Sequence, residues 1–176
     1  MKKFFTLIMS ICLLLSTTAF AYELPAPNSY EITGYVLEVL PDGFKIQATD
    51  GRHIVANVTD KTHWDGLYAD RALVAGDFVI IGYNGAMTRS IPMQIHADRV
   101  SCFLLEGKVT EILDATSILL TEVPTYGEVI VHVQTDASVL PVGLSLRVLY
   151  NGVMAMSLPG QISAHVLLIP QSLPTP

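Results

Sequence analysis

The chain has 176 residues, 51% of them hydrophobic and only 15% charged, with a formal charge of −6. That apolar fraction excludes intrinsic disorder, which requires few large apolar residues and a high charge density. The acidic balance argues against nucleic acid as a partner, because such affinity comes from Lys and Arg neutralising phosphates.

The first predicted element is a cleaved export signal. Lys2 and Lys3 form a positive start, and Phe4 to Leu15 is an apolar run broken only by Thr6 and Ser10. Ala19-Phe20-Ala21 then places small residues at −3 and −1 of a cut before Tyr22. The competing reading is a membrane anchor, but the run is shorter than the roughly 20 apolar residues that a span needs. Cys12 has no lipobox of small residues before it, which argues against a lipoprotein. Loss of 1–21 removes two lysines and no acid, leaving 8 Lys and Arg against 16 Asp and Glu. The mature protein is therefore expected outside the cytoplasm, in the periplasm, at the cell surface or secreted, with no stable membrane insertion. Cys102 is then the single cysteine, so no internal disulfide is available. Its flanks, Ser101 and Phe103-Leu104-Leu105, predict a small buried hydrophobe rather than a reactive thiolate.

Residues 22–30 read as an extended segment with two prolines, and 170–176 as a proline-rich tail. Between them the apolar period is two. Gly34 to Leu40 reads as a first strand. Phe44, Ile46 and Ala48 alternate, then Ile54, Ala56 and Val58, then Val79, Ile81 and Tyr83. In the second half Val129, Val131 and Val133 do the same, followed by Leu146, Val148 and Tyr150. Pro41-Asp42-Gly43, Asp50-Gly51, Asn84-Gly85 and Asn151-Gly152 supply turn chemistry between strands. No stretch shows a 3.6-residue stripe of helical length, and Leu67 to Val74 allows two helical turns at most.

An internal repeat organises these strands. Residues 83–97 (YNGAMTRSIPMQIHA) and 150–164 (YNGVMAMSLPGQISA) match at an offset of 67, with nine of fifteen positions identical. The shared positions include Tyr83/Tyr150, Asn84/Asn151, Gly85/Gly152, Ser90/Ser157, Pro92/Pro159 and Gln94/Gln161. Gly34 to Leu40 pairs with Gly107 to Leu113 at an offset of 73. The second copy lacks a segment that the first carries, His63 to Arg71. The expected organisation is all-β: two tandem small OB-like Greek-key β-barrels, 31–102 and 103–169, rigidly joined. Gly34 and Gly107 permit the coil of the first strands, and Pro92 and Pro159 suit strand starts or edges. A single β-sandwich built from both halves is the alternative.

The pattern G-D-x-V-x-x-x-Y-N-G-x-M-T-x-S-x-P-x-Q-I-x-A, from Gly76 to Ala97, resembles a group of secreted bacterial OB-like modules classed as domains of unknown function. Both repeats carry the resemblance, so it spans most of the mature chain. The second departs from it, with Leu144 for Asp77 and Ala155-Met156 for Thr88-Arg89. The resemblance implies a fold and a compartment, and no catalytic residues.

Three sets of residues are candidates for chemistry. A nucleophilic serine needs a base within hydrogen-bond reach. His96 lies near Ser90 in sequence, but its counterpart beside Ser157 is Ser163, so the repeat does not preserve a pair. The five histidines, His53, His63, His96, His132 and His165, show no metal-ligand spacing, so neither a cofactor nor a metal is expected. The third set is a cluster on the unrepeated segment: Asp60, His63, Trp64, Asp65, Tyr68 and Asp70. Loops on rigid barrels tend to hold binding residues, and an aromatic flanked by carboxylates suits a cation. The opposing reading makes Trp64 a core plug. The expected function is a non-enzymatic binding or interaction module. Its partner is a protein, or a carbohydrate or cationic peptide taken through the Trp64 loop, with a small metal-dependent enzyme as the remaining rival.

Overall fold

A computed structural model describes residues 30–170. The export signal 1–21, nearly all of the 22–30 extension and the tail beyond Pro170 lie outside the described residues.

The described chain is all-β, with one turn of 3-10 helix at Ala137–Val139. In the first half β1 (Tyr30–Leu40), β2 (Gly43–Ala48) and β3 (His53–Asn57) form an antiparallel meander. After β4 (His63–Gly66), β5 (Phe78–Tyr83) returns to the free side of β1. β6 (Met93–His96) then runs parallel to β3, and the next strand, β7 (Arg99–Asp114), begins antiparallel to β5. The pairings thus run in the order β6, β3, β2, β1, β5 and the start of β7.

The second half repeats this order. β8 (Ser117–Val123) and β9 (Gly127–His132) form a meander with the end of β7. β10 (Ser145–Tyr150) pairs with the middle of β7. β11 (Gly160–Ser163) lies parallel to β9, and β12 (Val166–Leu168) lies antiparallel to β10. No linker separates the halves. β7 is one strand whose partners change at Cys102 and Phe103, from β5 and β4 to β10 and β8. The apolar run at the junction is consequently pleated rather than wholly internal. Leu105 is buried, whereas Leu104 faces out.

Period-two burial follows the sequence pattern. Phe44, Ile46 and Ala48 point inward with Ile54, Ala56, Val79 and Ile81 around one core. Val109, Ile118, Leu120, Val129, Val131 and Val148 surround the other. Leu149 of the second half is buried in the first core, and Phe78 and His165 stand 6.3 Å apart across the junction.

The repeat extends to backbone detail. Three residues beyond Gly34, the register of β1 shifts at Leu37, and that of β7 shifts at the corresponding Thr110 beyond Gly107. Such bulges sharpen the local twist. Gly34 also lies so close to β2 that a Cβ would stand 2.5 Å from the Gln47 carbonyl oxygen. Val36 donates to Asp77 and accepts from Gly76, as Val109 donates to Leu144 and accepts from Gly143.

Candidate functional site

The unrepeated segment contains a strand, not the irregular loop that the sequence predicts. β4 lies parallel to the start of β7, with His63 opposite Arg99 and Gly66 opposite Cys102. This pairing turns the predicted cluster partly inward. Trp64 is half-buried, 6.4 Å from the Phe44 ring, against the first core. Tyr68 is buried, and its hydroxyl donates to the Phe78 carbonyl. Burial pushes the Tyr68 hydroxyl well above its ordinary pKa. Among the six, the His63 and Asp65 side chains meet, with Nε2 and Oδ2 3.4 Å apart, and the Tyr68 N–H donates to the Asp65 carbonyl at 3.2 Å. Asp65 is held more closely by Arg99, at 2.7 Å. Its negative charge is therefore already matched. Asp60 and Asp70 are exposed in the turns before and after β4.

The replacement of Asp77 by Leu144 in the second repeat has a physical account. Arg71 lies over the Tyr68 ring at 5.0 Å and grips Asp77 through two hydrogen bonds of 2.9 and 2.7 Å. Asp77 thus ties down the segment that only the first repeat has, and its counterpart Leu144 packs against the second core instead. Burial raises the Asp77 pKa, but hydrogen bonds from Arg71 and the Val74 N–H outweigh it, leaving the carboxyl below its usual range. Asp77→Asn is expected to destabilise the protein by about 1 kcal/mol at neutral pH, the scale of a partly exposed ion pair. A lowered carboxylate contributes its stability above the ordinary pKa and loses it as pH falls through the folded value. The difference from wild type is accordingly expected to fade in acid, which denaturant titrations at pH 7 and pH 3 will check.

The Ser-x-Pro-x-Gln motif builds a loop. Asn84 Oδ1 accepts from the Ala86 N–H at 2.9 Å, and Asn151 Oδ1 from the Val153 N–H at 3.1 Å. Ser90 Oγ donates to the Pro92 carbonyl at 2.7 Å, and Ser157 Oγ to the Pro159 carbonyl at 2.6 Å. Ile91-Pro92 and Leu158-Pro159 are both cis. The glutamines reach the strand beside them: Gln94 Oε1 accepts from Asn57 at 3.4 Å, and Gln161 Oε1 lies 3.0 Å from His132 Nε2. Neither serine meets a histidine; the serine at His132 is Ser117, 3.1 Å from Nδ1.

What these bonds hold out is apolar. Ile91 and Leu158, at equivalent loop tips, are fully exposed (101% each), and Met156 is 98% exposed. A groove of about 570 Å³ runs beside the second tip, lined by Met154, Met156, Leu158 and Pro159 opposite Tyr126 and Glu128. The sequence pattern does not predict this surface. Its one signal is the apolar residue between Ser and Pro in both copies, at a turn position with nothing to cover it.

Cys102 is fully buried, and burial pushes its thiol up to about 12. Iodoacetamide at pH 8 is therefore expected to label it only after unfolding, because the thiolate is the reacting form. Rapid labelling of the native protein would contradict this placement. Among the described residues, no three His, Cys, Asp or Glu side chains converge to hold a metal, and no helix is long and apolar enough to cross a membrane.

No protein-family model matches the chain, and no curated protein does. A solved structure described as drosophila Unr CSD456 is similar at 16% identity, with a TM-score of 0.28, over 82% of this chain and 64% of that one. The chain thus spans a little under two thirds of that structure's length, and at that TM-score the likeness does not bear on fold or function.

Proposed function

We propose that this chain is an exported pair of tandem OB-like Greek-key barrels that acts outside the cytoplasm as a protein-binding module rather than as a catalyst. The barrel reading is supported by an order of pairings common to both halves: a three-stranded meander, a returning strand beside its first strand (β5 on β1, β10 on β7), and a short parallel partner on its third (β6 on β3, β11 on β9). The export reading is supported by the charged start, apolar run and Ala-Phe-Ala site of residues 1–21.

The observation that carries the binding reading is the pair of loop tips. Each side-chain bond of the motif goes to its own loop or the strand beside it, while Ile91 and Leu158 are left entirely to solvent. A rigid loop that exposes one large apolar side chain loses little entropy when that side chain is buried by a partner. Solvent-exposed apolar surface beside a polar frame is characteristic of interaction sites. The serines that a hydrolase would use donate their protons to proline carbonyls, which is a structural role.

The test is site-specific photo-cross-linking in the cells that export the protein, with the photoreactive residue at 91, 158 or, as an exposed control, 139. Discrete adducts are expected at 91 and 158 and none at 139. Absence of adducts at both tips, or a turnover activity lost in Ser90→Ala or Ser157→Ala, overturns the proposal.

A further inference from the structure

The two repeats differ at one edge. In the first, residues 99–102 are flanked on both sides, by β5 and by the parallel β4. His63 N–H donates to the Asp98 carbonyl at 2.9 Å, and Leu67 N–H to the Cys102 carbonyl at 2.8 Å, so β4 is stitched along its length. At the repeat offset of 67, the corresponding residues are Val166, Leu167, Leu168 and Ile169. The segment that would supply a second β4 is missing from this repeat. Among the described residues β12 pairs with β10 alone.

The consequence is visible in burial. Ser101 and Cys102 are buried, whereas their counterparts Leu168 and Ile169 are 42% and 57% exposed. An edge strand with unpaired backbone groups is a template for another strand. The chemistry of the missing occupant is also constrained. The first seam is charged, with Arg99 of β7 bonded to Asp65 of β4. Val166 stands where Arg99 does, and residues 166–170 (VLLIP) carry no charge. The nearest ion pair on the neighbouring strands, Arg147 with Glu106, is internally matched at 2.6 Å. The edge therefore fits an uncharged, apolar, extended segment with a free side of its own. β12 is itself such a segment.

We propose that the β12 edge is a self-association site, where β12 of one copy pairs antiparallel with β12 of a second copy about a two-fold axis. This rests on the repeat equivalence described above and concerns a surface separate from the loop tips at Ile91 and Leu158. A two-fold contact places the same patch on both sides, so the absence of charge at 166–170 removes the like-charge repulsion that any charged edge would meet there. The edge is short and Pro170 ends it, since proline has no N–H to donate. Association is consequently weak, reversible and concentration-dependent.

The experiment is sedimentation velocity of the mature chain over a concentration series, with Leu168→Lys, Ile169→Lys and a control, Val142→Lys, at an exposed apolar residue outside the edge. A monomer–dimer equilibrium is expected for wild type and for the control, weakened at least about tenfold in both edge variants, or about 1.4 kcal/mol. Leu168→Cys supplies a second readout that does not depend on introducing a charge. Mild oxidation is expected to give a disulfide-linked dimer, with buried Cys102 unreactive in the parent protein. A wild-type monomer at every concentration, or a dimer indifferent to both edge variants, overturns the proposal. So does a monomer whose β12 amides resist hydrogen exchange, which would assign the edge to a segment of the same chain. A monomer that binds an extended apolar peptide at β12 would overturn it too, by transferring the site to a different partner. None of these outcomes touches the cross-links expected at 91 and 158, so the two proposals fail separately.

Discussion

Phe44→Ala is expected to destabilise the protein by roughly 3–5 kcal/mol, the range for deleting a large aromatic from a close-packed core. Phe44 is 1% exposed and sits between Val39 and Ala56 in the sheet, with Ile46 and Ile54 beside it in the same core. Its ring is also the surface against which Trp64 is tilted. Removal therefore opens a cavity and withdraws the support of β4 at the same time. Each kcal/mol lowers the melting temperature of a chain this size by about 2–4 °C, so a fall on the order of 10 °C is expected. Tryptophan emission gives an independent reading, because Trp64 is the only indole. Its emission should move to longer wavelength in the folded variant as water reaches the ring. A stable variant with unchanged emission would show that Trp64 does not depend on the core, and would return the β4 segment to the role of a free binding loop.

Gly152→Val is expected to cost more than Gly85→Val, although both glycines occupy the same place in the repeat. Both have a positive φ, +85° and +87°, where a β-branched residue is strained by on the order of 1–3 kcal/mol. The difference lies in what each added side chain meets. A Cβ at Gly85 would stand 2.5 Å from the Tyr30 ring, and one at Gly152 equally close to the Phe103 ring. Tyr30 is 58% exposed at the beginning of β1, so its ring has room to swing away. Phe103 is half-buried within β7 and leans on Tyr150 at 5.8 Å. Its displacement disturbs the strand that both halves share. Denaturant midpoints of the two variants measure the difference directly, and equal midpoints would mean that backbone strain alone sets the cost.

The two glycines illustrate what is legible in the linear chain. Asn-Gly between apolar alternations is a turn because only certain residues tolerate that backbone, and this is a local property. The strands around Phe44, Ile54, Val79, Val129 and Leu146 are legible for the same reason: period-two alternation places one face inward whatever the partner strand. The repeat itself exposes which residues serve folding, and Ser90/Ser157 and Gln94/Gln161 indeed bond within their loops or to the adjacent strand. The apolar flanks of Cys102 likewise announce its burial.

The candidate site is less legible. Asp60 to Asp70 reads as a polar, aromatic loop, and nothing within those eleven residues says that β7 will accept His63–Gly66 as a parallel strand. That pairing depends on residues some 36 positions away, and it is what packs Trp64 and Tyr68 against the first core. The apolar tips at Ile91 and Leu158 are hidden for the converse reason. An apolar residue in a strand-rich sequence is assigned to the core by default, and only the loop's place in the fold shows that no core reaches it.

The all-β class, the turn chemistry, the duplication and the positions held alike in both copies are written in the linear chain, because each follows from local stereochemistry or from comparing the chain with itself. Three further facts emerge only on folding: β7 serves both halves, the unrepeated segment joins the first half as a strand, and among the described residues β12 is paired on one side alone. They depend on which strands meet across long separations in the chain, and backbone hydrogen bonding between strands carries no side-chain code that a linear pattern can reveal.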